Sequence, residues 1–338
     1  MANEQFYSTD DFKKVRKVDA HVHYNTHATD ITSLAQSLGF RLLSINTNIP
    51  GFPSIEQQQE YILKHRAYKQ TLFHLTTFDS INVYDDDWVS NQLQYVRDAI
   101  RNGALGFKVW KDIGMVLQDA KGEFVFIDDK MFRPFFDFAE AAQLPVLAHI
   151  GEPKNCWLPL DEMTVNNDRN YFTQHPEYHM ALHPECPSYD TLMQSYQNML
   201  DQHPSLTYIG AHFASFEWSI EKVGELLDKY PLMAVDTAER MGHMHFQTIA
   251  DREAVRQFFI KYQDRILYGT DIIVDDGADM KALSERATSI WQNDWRYLTT
   301  DDELTSPYVN ESFRGLKLPV DVVDKVYSGN ATKWYKMP

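Results

Sequence analysis

Short apolar segments recur along the 338-residue chain, and each is followed by a stretch with helical periodicity. The apolar segments cover residues 17–23, 40–47, 71–78, 104–110, 144–150, 206–213, 232–237 and 265–271. One predicted helix covers residues 54–69, where Ser54 and Gln57 have the spacing of a capping box. Eight buried strands alternating with helices predict a parallel sheet, and eight is the number that closes a (β/α)8 barrel.

An open, doubly wound sheet is the alternative architecture for the same alternation of strands and helices. Its dinucleotide-binding version needs a Gly-x-Gly-x-x-Gly turn after the first strand, and the sequence has no such turn there. No linker, internal repeat or low-complexity tract divides the chain. We therefore predict an α/β protein whose residues 1–338 form a single (β/α)8 barrel domain.

Two connections are longer than a barrel requires. Residues 151–190 follow the fifth strand and are rich in Pro, Trp, Tyr, His and Asn, whereas residues 272–318 follow the eighth strand and are mostly polar. Both leave from the carboxyl ends of strands, the face on which barrel enzymes build their active sites. We expect these insertions to distort the barrel and to supply a lid and a wall of the substrate pocket.

Composition narrows the class of partner. A formal net charge of -16 disfavours nucleic acid and anionic membrane surfaces, because both bind clustered Lys and Arg. The sequence shows no membrane-spanning apolar run and no apolar segment of signal-peptide type. Its two cysteines, Cys156 and Cys186, do not make a disulfide framework. We expect a cytoplasmic protein that acts on a small molecule, with a homo-oligomer left open.

The apolar segments end in polar residues that a barrel would bring to one rim. These residues are His21, His23, Lys108, His149, His212, Asp236 and Asp271. Burying them together is costly unless a cation balances the carboxylates and each imidazole finds a partner. Imidazole and carboxylate are ligands that zinc and similar divalent ions prefer. Because residues i and i+2 of a strand face the same side, His21 and His23 can reach one ion while Val22 packs outward.

Six motifs occur in a fixed order over nearly the whole chain. They are VDAHVHY, GFKVWK, PVLAHIGEP, YIGAHFAS, ILYGTDII and VYSGNATKWY. In this order they resemble the amidohydrolase superfamily, and more closely its amidohydrolase-2 branch. The resemblance implies a distorted TIM barrel with His21, His23, His149 and Asp271 as metal ligands. It also implies that His212 binds a second metal or acts on the substrate.

Lys108 leaves the number of metal ions open. In binuclear members of the superfamily that this chain resembles, a lysine on the fourth strand is carboxylated and bridges two ions. In mononuclear members, including decarboxylases of the amidohydrolase-2 branch, one ion suffices and the sixth-strand histidine handles protons. A third interpretation is a salt bridge from Lys108 to Asp236 or Glu152. We expect one divalent ion, zinc before manganese, nickel or iron, with Lys108 and His212 as added ligands if there are two.

The predicted ligand set suits hydrolysis. An ion held by three His and one Asp keeps a position for water and lowers the pKa of that water from about 15.7 towards roughly 7. Asp271 is the predicted general base, and His212 is predicted to polarise the scissile carbonyl. We therefore expect cleavage of an amide, lactone or ester. The alternatives are a lyase that decarboxylates its substrate at the same site and a metal-stabilised binding protein without turnover.

Residues near the rim provide candidate substrate contacts. The cations Arg240, Lys111, Lys154 and Arg169 can pair with a substrate carboxylate. The aromatic residues Trp110, Trp157, Tyr171 and Tyr178 line either an apolar or sugar-like substrate or only their own loops. From these residues and the carboxylate after the fifth strand we select Arg240, Trp110 and Glu152 as substrate-binding residues.

A second His-x-His sequence, His243 and His245, tests the value of spacing alone. It follows the seventh strand by several residues and closes no apolar run, so strand geometry gives it no reason to point into the barrel mouth. We interpret both as surface histidines.

Overall fold

The strands of the computed structural model form a parallel sheet, and the structure describes residues 4–65, 70–80 and 83–338. The strands are β1 (Lys17–Asn25), β2 (Phe40–Ile45), β3 (Leu72–Thr77), β4 (Phe107–Val109), β5 (Val146–Ala148), β6 (Tyr208–Gly210), β7 (Met233–Asp236), β8 (Ile266–Leu267) and β9 (Ile272–Asp275). A separate antiparallel pair consists of β10 (Glu303–Leu304) and β11 (Phe313–Arg314). The order in the parallel sheet is β8-β7-β6-β5-β4-β3-β2-β1-β9.

Helical segments follow the strands along the chain. They are α1 (Asp30–Ser37), α2 (Ile55–Lys64), α3 (Trp88–Arg101), α4 (Asp112–Met115), α5 (Arg133–Ala142), α6 (Asn166–Gln174), α7 (Tyr189–Gln202), α8 (Ala211–Ala214), α9 (Ile220–Lys229), α10 (Met241–Lys261), α11 (Met280–Thr299), α12 (Val320–Asp324) and α13 (Asn330–Trp334). Within the segments that the structure describes, no helix combines the length and the apolar character needed to cross a membrane.

The helix predicted over residues 54–69 is observed as α2. The side chain of Ser54 accepts a hydrogen bond from the backbone N–H of Gln57, as expected for its cap. The helix ends at Lys64, and residues 66–69 of the predicted segment lie outside the described residues.

The sheet closes into a barrel because β8 and β9 are two parts of one strand position. Four residues separate them in the chain, and β1 lies beside this connection. Ala20 N donates to Tyr268 O at 2.8 Å, and Asp271 N donates to His21 O at 2.7 Å. The chain thus forms the predicted distorted (β/α)8 barrel. The predicted eighth strand, 265–271, is interrupted after Leu267 and resumes at Ile272, so Asp271 lies in the interruption instead of ending a strand.

A β-bulge in β1 changes which side chains face the barrel interior. The pairing register with β2 shifts between Asp19 and Val22. Val18 and Ala20 pack inside the barrel with residues of the other strands, whereas Val22 and Tyr24 pack in the layer between strands and helices. The bulge therefore directs His21 and His23 inward and leaves Asp19 facing outward, where its carboxylate accepts a hydrogen bond from Trp291 of α11 at 2.9 Å.

Both long connections contain structure of their own. Residues 151–190, which we call the lid segment, contain short 3-10 turns, α6 and the start of α7. Residues 272–318 contain β9, the twenty-residue helix α11 and the β10–β11 pair. The second connection is thus largely regular structure, and its polar sequence reflects a helix with one face in solvent.

The close approach of β4 and β5 gives a stability prediction. A Cβ on Gly106 would clash with the carbonyl oxygen of Pro145, a backbone atom that cannot move aside alone. Gly106→Ala is therefore expected to lower the free energy of unfolding by about 1–3 kcal/mol in urea denaturation. In the matched control, Gly329→Ala, the nearest such atom is 3.6 Å away. Equal stability of the two variants would contradict the prediction.

Candidate metal centre and substrate cavity

Three predicted ligand atoms converge at the carboxyl end of β1. The Nε2 atoms of His21 and His23 lie 3.3 Å and 3.1 Å from Oδ1 of Asp271. The three ligand atoms lie within 4.8 Å of one another, and the histidines are buried. Asp271 reaches this position with a backbone φ of +64°, a conformation that is costly for a residue with a Cβ. We call His21, His23 and Asp271 the ligand trio.

In both histidines, the hydrogen bond on the side of the ring away from Asp271 determines that Nδ1 carries a proton. Nδ1 of His23 lies 2.7 Å from the carbonyl oxygen of Ile45, and Nδ1 of His21 lies 2.8 Å from Oδ2 of Asp236. Each Nδ1 therefore carries a proton, and Nε2 is the nitrogen of each ring that is left for the centre of the site. Both Nε2 atoms face the carboxylate of Asp271. Such an arrangement of acceptors is repulsive without a cation or additional protons between them.

Asp236 connects two parts of the site through one buried carboxylate. Its Oδ2 accepts from His21 Nδ1, and its Oδ1 accepts from the backbone N–H of His212 at 2.7 Å and of Ala238 at 3.2 Å. Burial alone raises the pKa of Asp236, but His21 and these hydrogen bonds outweigh burial and hold the pKa below its usual range. The carboxylate is thus ionised, and it orients the ring of His21 through Nδ1, on the side opposite to Nε2.

His212 lies in a left-handed turn that directly follows β6. Residues 212–215 all have positive φ, between 54° and 60°, although none is glycine. The sixth strand therefore ends at Gly210, earlier than the predicted 206–213. Nδ1 of His212 lies 2.8 Å from the carbonyl oxygen of Ala238, so Nε2 carries a lone pair.

His149 and His212 form the second part of the polar rim. Their ring centroids are 4.2 Å apart, and each Nε2 is buried without a hydrogen-bond partner among the described residues. Burial lowers the pKa of both rings well below the usual histidine value, so both are neutral. They are chemically suited to be ligands, although neither belongs to the closely spaced ligand trio.

Lys108 lies beside the ligand trio. Its Nζ is 3.3 Å from Nε2 of His21, and burial lowers the pKa of the amine to about 8 although Asp271 and Asp236 act in the opposite direction. The structure shows neither of the predicted salt bridges to Asp236 or Glu152. Asp236 is engaged by His21, and Glu152 pairs with Lys111.

A cavity of about 460 Å³ opens above these groups. We call it the substrate cavity. His23, Lys108, His149 and Asp271 form its floor, and its walls include all three predicted substrate-binding residues, Trp110, Glu152 and Arg240. Tyr171 and Lys111 also line it, whereas Trp157, Tyr178, Lys154 and Arg169 do not.

The candidate substrate-contact residues that lie outside the cavity have other contacts. Lys154 Nζ lies 4.1 Å from the centre of the Trp218 ring, and Trp157 donates to the carbonyl oxygen of Pro187 at 3.1 Å. Arg169 Nε donates to the carbonyl oxygen of Leu160 at 3.0 Å, which holds the lid segment together. For these residues the packing interpretation is the one that the structure supports.

Arg240 is a buried cation in the wall of the substrate cavity. Its Nη1 donates to Oε2 of Glu239 at 3.0 Å, while Nε is buried without a partner among the residues described. Burial by itself lowers the pKa of Arg240, but Glu239, Asp168 and Glu217 raise it more. The guanidinium is therefore charged and has an unused donor.

The interpretation of His243 and His245 as surface histidines is wrong. Their relative exposures are 2% and 6%, because α10 packs against the barrel with its first turns inward. Nε2 of His243 lies 3.1 Å from Oδ2 of Asp168, and His245 stacks on Phe313 with ring centroids 4.4 Å apart. Neither ring lines the substrate cavity.

Sequence reasoning missed two buried carboxylates near the cavity. Asp168 of α6 lines the substrate cavity, and Glu217 accepts from the backbone N–H of Lys154 at 2.9 Å. Burial raises the pKa of Glu217. Both lie outside the ends of the apolar segments, so a search for polar residues at those ends could not find them. A weak signal existed, because each is an acidic residue in an aromatic-rich stretch.

Replacing Asp236 tests whether its hydrogen bonds to His21 and His212 support metal binding. In Asp236→Asn one oxygen remains, so the side chain cannot accept from both His21 Nδ1 and His212 N. We expect the dissociation constant for zinc to rise by about 10–100-fold in competition with a chromophoric chelator. Asp294→Asn is the control, because Asp294 is also buried but accepts from Tyr268 Oη at 2.7 Å and not from a histidine. An unchanged zinc affinity in Asp236→Asn would contradict the role.

Fold and site together define a barrel protein with a histidine and carboxylate cluster at the carboxyl ends of its strands. The family described as Amidohydrolase (Amidohydro_2) matches residues 78–337. The chain belongs to this family. The matched span begins after β3, so the His-x-His of β1 lies outside it. No curated protein matches the sequence.

Solved structures share the fold at low sequence identity. A 2,6-dihydroxybenzoate decarboxylase complexed with 2,6-dihydroxybenzoate has a TM-score of 0.51 at 16% identity, over 95% of this chain and 99% of that chain. An uncharacterised TIM-barrel protein from Bordetella bronchiseptica has a TM-score of 0.53 at 14% identity, over 96% and 99%. A dihydroxybenzoic acid decarboxylase from a Polaromonas species, with bound manganese and 2-nitroresorcinol, has a TM-score of 0.50 at 13% identity, over 95% and 96%.

Proposed function

We propose that this protein is a metal-dependent hydrolase that cleaves an amide, lactone or ester bond of a small molecule. The observation that carries the proposal is the ligand trio: two histidine lone pairs and one carboxylate oxygen meet in a buried position. Membership of the Amidohydrolase family supports it. Metal chemistry is one of few uses that compensate the burial of three such acceptors.

The residues present fit a divalent ion. The Nε2 atoms of His149 and His212 are buried without hydrogen-bond partners among the described residues, and both are chemically ligand atoms. We propose that His21, His23, Asp271 and His149 hold one ion, with zinc as the first choice and manganese, nickel or iron as alternatives. Two ions would add Lys108 and His212. When bound, the ion supplies Lewis acidity towards water and a substrate carbonyl.

Asp271 is the proposed general base. Burial raises its pKa, but His21 and His23 outweigh burial, so the pKa lies well below its usual range and the group is a carboxylate at neutral pH. It takes a proton from the water that attacks the carbonyl carbon, and returns it to the nitrogen or oxygen of the leaving group as the bond breaks.

His212 and Arg240 are proposed to bind the reacting molecule. With its proton on Nδ1, His212 offers a lone pair at Nε2, which suits a ligand or proton acceptor. The predicted role of polarising a carbonyl requires a proton at Nε2, whereas the contact with Ala238 places the proton on Nδ1. Arg240 and Lys111 are two of the basic residues that line the substrate cavity, and they suit a substrate that bears a carboxylate.

Decarboxylation at the same site is the second candidate. Two of the three solved structures described above are dihydroxybenzoate decarboxylases, and one of these contains manganese. In this reaction a protonated group would deliver a proton to the substrate carbon while the bond to the carboxylate breaks and carbon dioxide leaves. The same buried trio and the same cations would serve it.

Product analysis tests the proposal. Metal-loaded protein is incubated with panels of small amides, lactones and esters and of aromatic carboxylates, with mass spectrometry for hydrolysis products and a sensor for carbon dioxide. Hydrolysis at rates that depend on the metal supports the proposal. Release of carbon dioxide without hydrolysis would replace it by the lyase. Metal binding without turnover in either panel would leave the binding protein as the better description.

A further inference from the structure

The second His-x-His connects the barrel to the lid segment. His243 lies in the first turn of α10, and its Nε2 contacts Oδ2 of Asp168 in α6 at 3.1 Å. The relative exposures of the two residues are 2% and 5%. A buried carboxylate is costly unless hydrogen bonds and a partner compensate it. The contact between these elements is therefore specific and not an incidental surface pair.

Asp168 also organises the lid segment itself. Asn155 Nδ2, on an earlier turn of the lid, donates to Oδ2 of Asp168 at 2.8 Å, and Asn155 Oδ1 accepts from Thr164 N at 3.3 Å. Asn167 Nδ2 donates to Oδ1 of Asp168 at 3.1 Å. One carboxylate thus joins two turns of the lid to each other and to the barrel.

The joined part of the lid is a wall of the substrate cavity. Four residues of α6 line the substrate cavity, namely Asn167, Asp168, Tyr171 and Phe172. The ligand trio lies on other elements, β1 and the connection before β9. A change in the contact between His243 and Asp168 would therefore move the wall without moving the metal ligands.

Other contacts attach the lid segment to the rest of the chain before α6 and at its start. Before α6, Lys154 N donates to Oε1 of Glu217 at 2.9 Å. At the start of α6, Asn166 N donates to the carbonyl oxygen of Tyr308 at 2.8 Å. These contacts keep the lid attached on the N-terminal side, so loss of the contact between His243 and Asp168 is expected to loosen α6 without releasing the whole segment.

We propose that His243 and Asp168 form a latch that positions α6 against the substrate cavity and thereby sets the affinity for substrate. They act as positioning residues, and the metal centre does not depend on them. The second His-x-His would thus serve substrate binding through the lid, although it has the same spacing as the predicted metal-binding pair in β1.

Hydrogen exchange of the full-length, zinc-loaded protein tests the latch. The variants are His243→Gln, Asp168→Asn and the double variant. Each single variant is expected to accelerate amide exchange in peptides from residues 164–178 by about tenfold. The double variant should exchange no faster than Asp168→Asn, because that substitution already removes the contact with His243. Zinc content should stay at the parent value.

His245→Phe is the matched control. His245 occupies the same helix and is similarly buried, but its ring stacks on Phe313 and makes no contact with the lid that would be lost, and Phe preserves the stack. Exchange in residues 164–178 should match that of the parent protein. Parental exchange in His243→Gln and Asp168→Asn, with both folded by circular dichroism, would overturn the proposal. So would equal acceleration in His245→Phe, or loss of zinc from the latch variants.

Kinetics separate positioning from a general structural role. On a substrate found in the product screen, His243→Gln should raise KM about tenfold and change kcat less than about twofold, and His243, unlike Asp168, does not line the substrate cavity. A fall in kcat with unchanged KM would overturn the proposal. The exchange experiment needs no substrate, so failure of the proposed hydrolase function and failure of the latch give different results.

Discussion

Asp271→Asn is expected to lower kcat/KM by about 10³-fold or more, because the amide can neither accept the proton from water nor bind the ion as a carboxylate does. The substitution is nearly isosteric, so the left-handed backbone at this position and the hydrogen bond from its N–H to the carbonyl oxygen of His21 remain available. The measurement is steady-state turnover of the metal-loaded variant, with zinc content determined on the same sample.

Asp275→Asn is the matched control for this substitution. Asp275 lies four residues further along the same strand position, and its carboxylate accepts from Asn25 Nδ2 at 3.0 Å. It does not line the substrate cavity. We expect its kcat/KM to stay within about twofold of the parent value. Turnover of Asp271→Asn at the rate of this control would exclude Asp271 as the general base.

Removal of the metal is expected to have the second large effect. Dialysis against pyridine-2,6-dicarboxylate should abolish turnover, and restoring about one equivalent of zinc or manganese should recover it. With free ion at about 1,000 times its dissociation constant, the bound ion stabilises the fold by about 4 kcal/mol. The apo protein should therefore unfold roughly 5–10 °C below the metal-loaded protein in calorimetry.

Two groups of side chains in the described residues have ligand atoms close enough to hold an ion, and they provide the control. One is the ligand trio, and the other consists of Asp137, Glu140 and His203 at the outside of the barrel. His203 is already paired with Glu140 at 3.2 Å, and Asp137 is exposed. We expect His23→Ala to lose the ion and His203→Ala to retain it. The reverse result would move the metal centre away from the substrate cavity.

The sequence by itself determined the architecture and most of the rim. Alternation of apolar segments with helical periodicity is a local pattern, and the closure of eight strands follows from their number. The polar residues at the ends of the apolar segments include all seven members of the rim, because parallel strands end on one face. They are His21, His23, Lys108, His149, His212, Asp236 and Asp271, and the structure places all of them in direct contact with one another or around one cavity floor.

The tertiary structure decided how those residues are presented. The bulge between Asp19 and Val22 turns His21 and His23 inward, and it exists only through the register of β1 with β2. The interruption of the eighth strand gives Asp271 its positive φ, and the left-handed turn after β6 does the same for His212. Such conformations are locally unfavourable and persist because the surrounding packing and hydrogen bonds stabilise them.

The difference between local sequence pattern and tertiary packing also explains the second His-x-His. Its spacing is identical to that of the first, but spacing describes only the local chain, and burial of His243 depends on the docking of α10 and of a lid helix seventy-five residues earlier. A sequence pattern can predict which residues share a face because that is set by backbone geometry. It cannot predict which distant side chain meets that face, because that contact is set by packing between elements far apart in the chain.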